Sequence, residues 1–222
     1  MTTITILGSC RQHSLNKKYK ISSIQEEISY PHYSKEILQV IKYLKYNNIS
    51  SEDTKIVFRT PILNNCGIIN HQKYFNEFIN TDVFIIEIAS KLYYKYNDYY
   101  VHHIAIDKQF NVSIKNEIKI GILTKDEIEQ DIIEIKNELN KPLIIISHLV
   151  TREKGERYIL SEWLKEICEK HNIPFINPVK ELLKNNVDMN NIFLNEKVLA
   201  HYNENGHNEI LKIYEKYINE LF

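Results

Sequence analysis

Short runs of β-branched and aliphatic residues alternate along the chain with longer segments whose apolar positions recur every three or four residues. The runs from Thr3 to Leu7, Lys55 to Phe58, Val83 to Ile88, Leu143 to Ser147 and Pro174 to Asn177 read as strands. Between them, Ser34 to Tyr46 sets Ile37, Leu38, Ile41 and Leu44 on one helical stripe, and Asp126 to Leu139 does the same with Ile128, Ile132, Ile135 and Leu139. Thr124 with Glu127 three residues later forms a capping-box pattern ahead of that second helix. A further helix is expected from about Glu156 to Lys170, with Leu160, Trp163, Leu164 and Ile167 inward. The last starts near Glu204 and carries Ile210, Tyr214, Tyr217, Ile218 and Leu221 on one face. Strands alternating with helices in this way predict an α/β protein with a parallel central sheet covered on both faces.

Residues 91–121 break the alternation with strand-like, heavily aromatic pieces around an Asn97-Asp98 turn. They read as an inserted hairpin, and after a central strand it would sit at the carboxyl edge of the sheet, where open α/β folds bind ligands. No repeat, low-complexity linker or domain boundary is evident, so residues 1–222 read as one domain of a length that buries a sizeable core.

The 28 basic and 29 acidic residues leave a formal charge of -1, which offers no global electrostatic reason for nucleic acid or an anionic membrane as partner. No stretch reaches the roughly 20 apolar residues of a membrane span, and no signal-peptide pattern opens the chain. The expectation is a soluble, cytoplasmic protein. Cys10, Cys66 and Cys168 are odd in number and lack metal-like spacing, so reduced thiols and no metal are expected.

Two stretches couple a reactive side chain to a position this fold would expose. In Gly8-Ser9-Cys10 the first strand ends in a tight turn, where a thiol would meet outward-pointing backbone N–H groups able to lower its pKa and hold an oxyanion. In "AHYNENGHNEIL", residues 200–211, His201 and His207 flank a polar turn into the last helix. The alternative for Cys10 is an inert packing thiol, and for His201 a surface imidazole.

Taken together, a hydrophobic first strand ending in a Gly-x-nucleophile turn and an H-Y-N-x-x-G-H stretch before the final helix resemble the SGNH/GDSL hydrolase superfamily. The resemblance implies a flavodoxin-like three-layer sandwich. The family signature places a serine where Cys10 stands and an aspartate where Ser9 stands, so "GSC" is closer to the cysteine-bearing, GSCFA-like and capsule-polysaccharide acetyltransferase branches. Those branches imply acyl transfer, with Cys10, His201 and Ser9 as catalytic residues.

Some family positions differ. The aspartate expected three residues before His201 is Val198, which leaves Glu196 or a backbone carbonyl to orient the imidazole; with His207 as the base, that position is Glu204. The third family block falls at Ile88 to Lys91 and lacks its oxyanion-binding asparagine, for which Ser90 or Lys91 would substitute. Gly67 would supply the second-block glycine, with Asn64 or Asn65 as a further donor.

Arg11 and His13, just past the turn, can contact a phosphate or carboxylate, and with Ser90 and Lys91 they make up the expected donor side for acetyl-CoA. His32, Asn65, Tyr94 and His148 make up the expected acceptor side, with the tyrosine-rich run suited to stacking on a sugar or adenine. Each of these also has a bland reading as a solvated or packing residue. The expected activity is acetyl-CoA-dependent O- or N-acetylation of a sugar or nucleotide sugar. The alternatives are a carbohydrate esterase built on the same cysteine and histidine, and a non-catalytic glycan-binding module.

Overall fold

The computed structural model describes residues 1–110, 112–195 and 198–222. In chain order its strands are β1 (Thr3–Leu7), β2 (Lys20–Ile21), β3 (Val83–Ile88), β4 (Leu92–Tyr96) and β5 (Tyr99–Tyr100), then β6 (Lys119–Ile122), β7 (Leu143–Ser147), β8 (Phe175–Ile176), β9 (Phe193–Asn195) and β10 (Val198–Tyr202). Its α-helices are α1 (Ile24–Glu27), α2 (Ser34–Tyr46), α3 (Ser51–Val57), α4 (Arg59–Asn64) and α5 (His71–Ile79), then α6 (Lys125–Leu139), α7 (Glu156–Lys170), α8 (Pro178–Lys184) and α9 (Glu204–Asn219).

Five strands pair in parallel in the order β2-β1-β3-β7-β8. This is the order of flavodoxin-like doubly wound folds, whose strand succession reverses between the first and third strands. Alternate residues of the sheet feed two cores. Leu7, Phe84, Ile86, Ile88 and Ile145 pack beneath α2, α6 and α7. Ile4, Ile6, Val83, Ile85, Ile144 and Ile146 pack against α8, α9 and Leu15 of a 3-10 helix, Cys10–Lys17. The expected α/β three-layer sandwich with a parallel, flavodoxin-like central sheet is therefore the observed architecture.

The segment expected to be a strand at Lys55 to Phe58 is instead the end of α3. Ser50 caps that helix by accepting the Asp53 N–H at 3.0 Å, and Glu52 and Asp53 lie in its first turn. A four-residue apolar run cannot by itself distinguish strand from helix, and here the cap decides. At the other end of the sheet, β8 is only two residues long, because Asn177 caps α8 and Pro178 opens it.

Residues 91–121 contribute more than a hairpin: β4, β5 and β6 form a three-stranded antiparallel sheet in the order β5-β4-β6, with Asn97 in the left-handed region (φ 49) at the β4–β5 turn. No helix among the described residues is long and apolar enough to cross a membrane.

Candidate active site

The turn after β1 lies at the strand-order reversal. Gly8 is required there by close approach: a Cβ on it would lie 2.6 Å from Glu87 Cβ on β3. Gln25 holds the turn from the other side, its amide donating to the carbonyls of Gly8 and Ser9 at 2.8 Å each. Ser9 then caps the 3-10 helix that begins with Cys10.

Cys10 is partly exposed, and its Sγ lies 3.8 Å from Nδ1 of the exposed His201. His201 is on β10, one residue before the buried Tyr202. Asn203 follows and caps α9 through the Gly206 N–H at 2.9 Å, so His201 is carried to the sulfur by a strand end rather than by the helix itself. Among the described residues no carboxylate bonds His201, and Glu196 lies outside them. His207 is half-buried and packs edge-on against Tyr202, with ring centroids 5.6 Å apart, and burial lowers its pKa from the ordinary value.

Behind this pair lies a residue that the sequence pattern did not single out. Glu87 is a 1 % exposed carboxylate near the end of the central strand β3. Its Oε2 accepts from the Ser9 N–H at 2.9 Å, the Ser9 hydroxyl and the Gln12 amide at 3.2 Å. Its Oε1 lies 2.8 Å from His148 Nδ1 and 3.8 Å from Arg11 Nη1. Burial alone would raise the Glu87 carboxyl, but the His148 hydrogen bond, the Arg11 guanidinium and the Ser9 hydrogen bond hold it well below the usual carboxylate range. Burial also lowers the His148 pKa, outweighing the pull of Glu87, so near neutral pH the imidazole is uncharged and donates from Nδ1. The signal was present in the sequence as the one charged residue of the apolar run "VFIIEI".

Ser9, expected as a catalytic residue, is therefore a tie to Glu87. Its N–H is engaged and cannot serve the oxyanion, and its hydroxyl also receives Arg11 Nη1 at 2.9 Å. The Arg11 N–H points at the Ser9 hydroxyl at 3.4 Å, which leaves the Cys10 N–H, at the start of the 3-10 helix, as the backbone donor of this turn with no partner among the described residues.

Beside the turn opens a cleft of about 510 Å³ whose wall includes Arg11, His32, Ser90, Lys91, Tyr94 and His148. Arg157 of α7 completes its basic side, and Leu92, Ile122 and Leu160 provide apolar surface. Lys91 is ion-paired with Glu156 and lies 4.5 Å from the Trp163 ring centroid, and the Ser90 hydroxyl accepts the Leu92 N–H at 2.9 Å. Arg157 has no carboxylate partner among the described residues.

Two expected residues lie away from the cleft. His13 faces Glu26, Nε2 to Oε1 3.8 Å, on the exposed side of the 3-10 helix. Asn65 is exposed and ends α4 in the left-handed region (φ 50), a role that explains its presence without a ligand.

His32, His102 and His103 bring one ring nitrogen each within 4.8 Å of one another. Both nitrogens of His102 are already engaged, Nε2 with the Tyr30 carbonyl at 3.0 Å and Nδ1 with the Ile104 N–H at 3.2 Å. The trio is therefore not an open three-ligand set for a metal. Burial lowers the His32 pKa to about 3, leaving a neutral imidazole on the cleft wall.

A doubly wound α/β protein with a thiol–imidazole pair at its strand-order reversal is the class this geometry defines. The chain belongs to the TviD N-terminal domain family, whose model matches residues 2–120. No curated protein matches it significantly in sequence. Among solved structures it is similar to an arginine-to-alanine mutant of Axe2, an acetyl-xylooligosaccharide esterase from Geobacillus stearothermophilus. The identity is 14% with TM-score 0.45, over 98% of this chain and 94% of that one. A catalytic mutant of the same esterase, with a histidine replaced by alanine, matches at 12% identity and TM-score 0.43 over the same shares of the two chains.

Proposed function

We propose that the chain is an acetyltransferase acting on a carbohydrate or nucleotide-sugar acceptor, with acetyl-CoA as donor and Cys10 as the covalent carrier. The observation that carries this reading is the 3.8 Å approach of Cys10 Sγ to His201 Nδ1, on the turn whose next residue, Arg11, lines the cleft. His201 takes the Cys10 proton as the sulfur attacks the acetyl carbon. The donor C–S bond breaks, and the departing thiolate takes that proton from His201. Exchange of one thioester for another is nearly isoenergetic, which suits a cysteine to this task.

The basic wall of the cleft supports an anionic donor or acceptor, because Arg157 has no carboxylate partner among the described residues and lies beside Arg11 and Lys91. The aromatic face of Tyr94 on the same wall suits a sugar ring or adenine. The acetyl group itself is what the resemblance to the cysteine-bearing acetyltransferase branches implies.

Hydrolysis is the second reading, and the exposure of His201 favours it by admitting water to the acyl carbon. The separating experiment follows acetyl-CoA and p-nitrophenyl acetate consumption with and without sugar acceptors. Acceptor-dependent release of CoA supports transfer. Rapid ester turnover in water, unchanged by any acceptor, makes the chain an esterase.

A further inference from the structure

We infer that His148 is a second catalytic base, held by Glu87 and facing the cleft, that activates the acceptor hydroxyl while Cys10 and His201 handle the acyl donor. The inference rests on the acetyl-Cys10 reading and adds to it the group that completes the second half-reaction.

Glu87 Oε1 lies 2.8 Å from His148 Nδ1, while Oε2 of the same carboxylate receives the Ser9 N–H at 2.9 Å. One buried side chain thus fixes the imidazole relative to the turn that carries Cys10. A carboxylate accepts only, so Nδ1 carries the hydrogen and the lone pair resides on Nε2. Among the described residues Nε2 has no hydrogen-bond partner, and the ring lines the cleft. A carboxylate orienting an imidazole whose other nitrogen faces substrate is the base half of a catalytic triad. His201 has no such carboxylate among the described residues.

The charged and titratable groups facing His148 come from several elements: Glu87 on β3, Arg11 on the 3-10 helix, Arg157 on α7 and His32 ahead of α2. The two guanidiniums and burial disfavour the imidazolium, and Glu87 favours it. The base is thereby kept free at neutral pH yet able to accept a proton from a hydroxyl.

An acceptor hydroxyl on acetyl-Cys10 gives its proton to His148 Nε2 as its oxygen bonds to the acetyl carbon. Collapse of the tetrahedral adduct breaks the carbon–sulfur bond and Cys10 leaves as a thiolate. The proton on His148 returns through solvent to restore the thiol.

The test separates the two half-reactions, using p-nitrophenyl acetate as donor and water or methyl glucoside as acceptor, in wild type, His148→Gln and Glu87→Gln. His148→Gln is expected to keep the acylation burst and to slow deacylation at least about 100-fold. Its acetyl-enzyme accumulates by intact mass, and the acidic limb of the deacylation pH profile disappears. Glu87, a positioning residue, is read by the same profile: Glu87→Gln shifts that limb, which a loss of folding alone would not do. Deacylation by His148→Gln at the wild-type rate and pH dependence would overturn the inference and leave the acetyl-Cys10 reading standing. Absence of a burst in wild type, or its persistence in Cys10→Ala, would instead strike that reading. Ring ¹⁵N spectra of the folded wild type probe the same tautomer without turnover. Nδ1–H with a bare Nε2 at pH 7 is expected, and a bare Nδ1 or a doubly protonated ring would refute the inference.

Discussion

Two imidazole pairs lie on either side of one turn, and they differ in nearly every physical respect. Cys10 and His201 are open to solvent, meet at 3.8 Å, and show no orienting carboxylate among the described residues. Glu87 and His148 are buried, meet at 2.8 Å, and share their carboxylate with Ser9, Gln12 and Arg11. The first pair is open to the donor, while the second anchors the turn and holds His148 against the cleft. The buried ties of the second hold the Ser9 turn, and with it Cys10 on its short 3-10 helix, to the central strand.

The largest effect should come from removing the proposed nucleophile. Cys10→Ala is expected to lower transfer by at least about 10³-fold with little change in melting temperature, since the thiol is a partly exposed group in the fold. Retained activity would move the chemistry off the open pair.

Next in size is the tie between the pairs. Glu87→Ala strips a buried carboxylate from Arg11, His148 and the Ser9 turn and should cost about 3–5 kcal/mol of stability, read by denaturant unfolding. A cost below about 1 kcal/mol would mean that the turn does not depend on it.

A medium effect is expected from pH. His32, lowered to about 3, and His102 and His148, also lowered by burial, are neutral in the native state but take up protons near 6.5 when unfolded, so stability falls as pH drops below about 6.5. Glu36, fully buried and raised by burial to about 8, works in the opposite sense: unfolding returns it to about 4.5, so it withdraws stability as pH rises from about 4.5 to about 8. With His103 and His207 lowered by burial in the same sense, the histidines outweigh Glu36 below about 6.5 and Glu36 prevails above it, which places the stability maximum near that pH. Glu36→Gln should abolish the decline between pH 6.5 and 8, about 2 kcal/mol. An unchanged alkaline slope would contradict the assignment.

The smallest effect concerns the cleft. Arg157→Ala should raise KM for an anionic donor about tenfold with kcat nearly unchanged, the pattern of lost ground-state binding. An equal loss in kcat would place Arg157 at the reacting atoms instead.

How much of this was legible in the sequence follows the strength of each local signal. Strands β1, β3 and β7 begin and end where their apolar runs do, because both faces of a central parallel strand are covered. Helices α2 and α7 have the expected bounds, and Thr124 and Glu127 form the expected capping box. Strand β2 escaped notice because two residues paired along an edge carry no periodicity. The approach of Cys10 to His201, 191 residues apart, came from a family resemblance and not from any local pattern. Glu87 went unrecognised since a lone acid in a strand names none of its partners, of which Ser9 and His148 lie 78 and 61 residues away. Asn65 and His13 were misplaced for the converse reason: polar residues beside a turn fit a site and a surface equally well.

The most direct test exploits the three thiols of the chain. Cys66 is exposed, Cys168 is buried with its pKa pushed up to about 12, and Cys10 alone of the three lies beside an imidazole among the described residues. Brief exposure to acetyl-CoA, acid quench and peptide mass mapping should find one acetyl group on the peptide containing Cys10, lost in His201→Ala and absent from Cys66. Acetyl on Cys66 alone, or on no cysteine while transfer proceeds, would contradict the account.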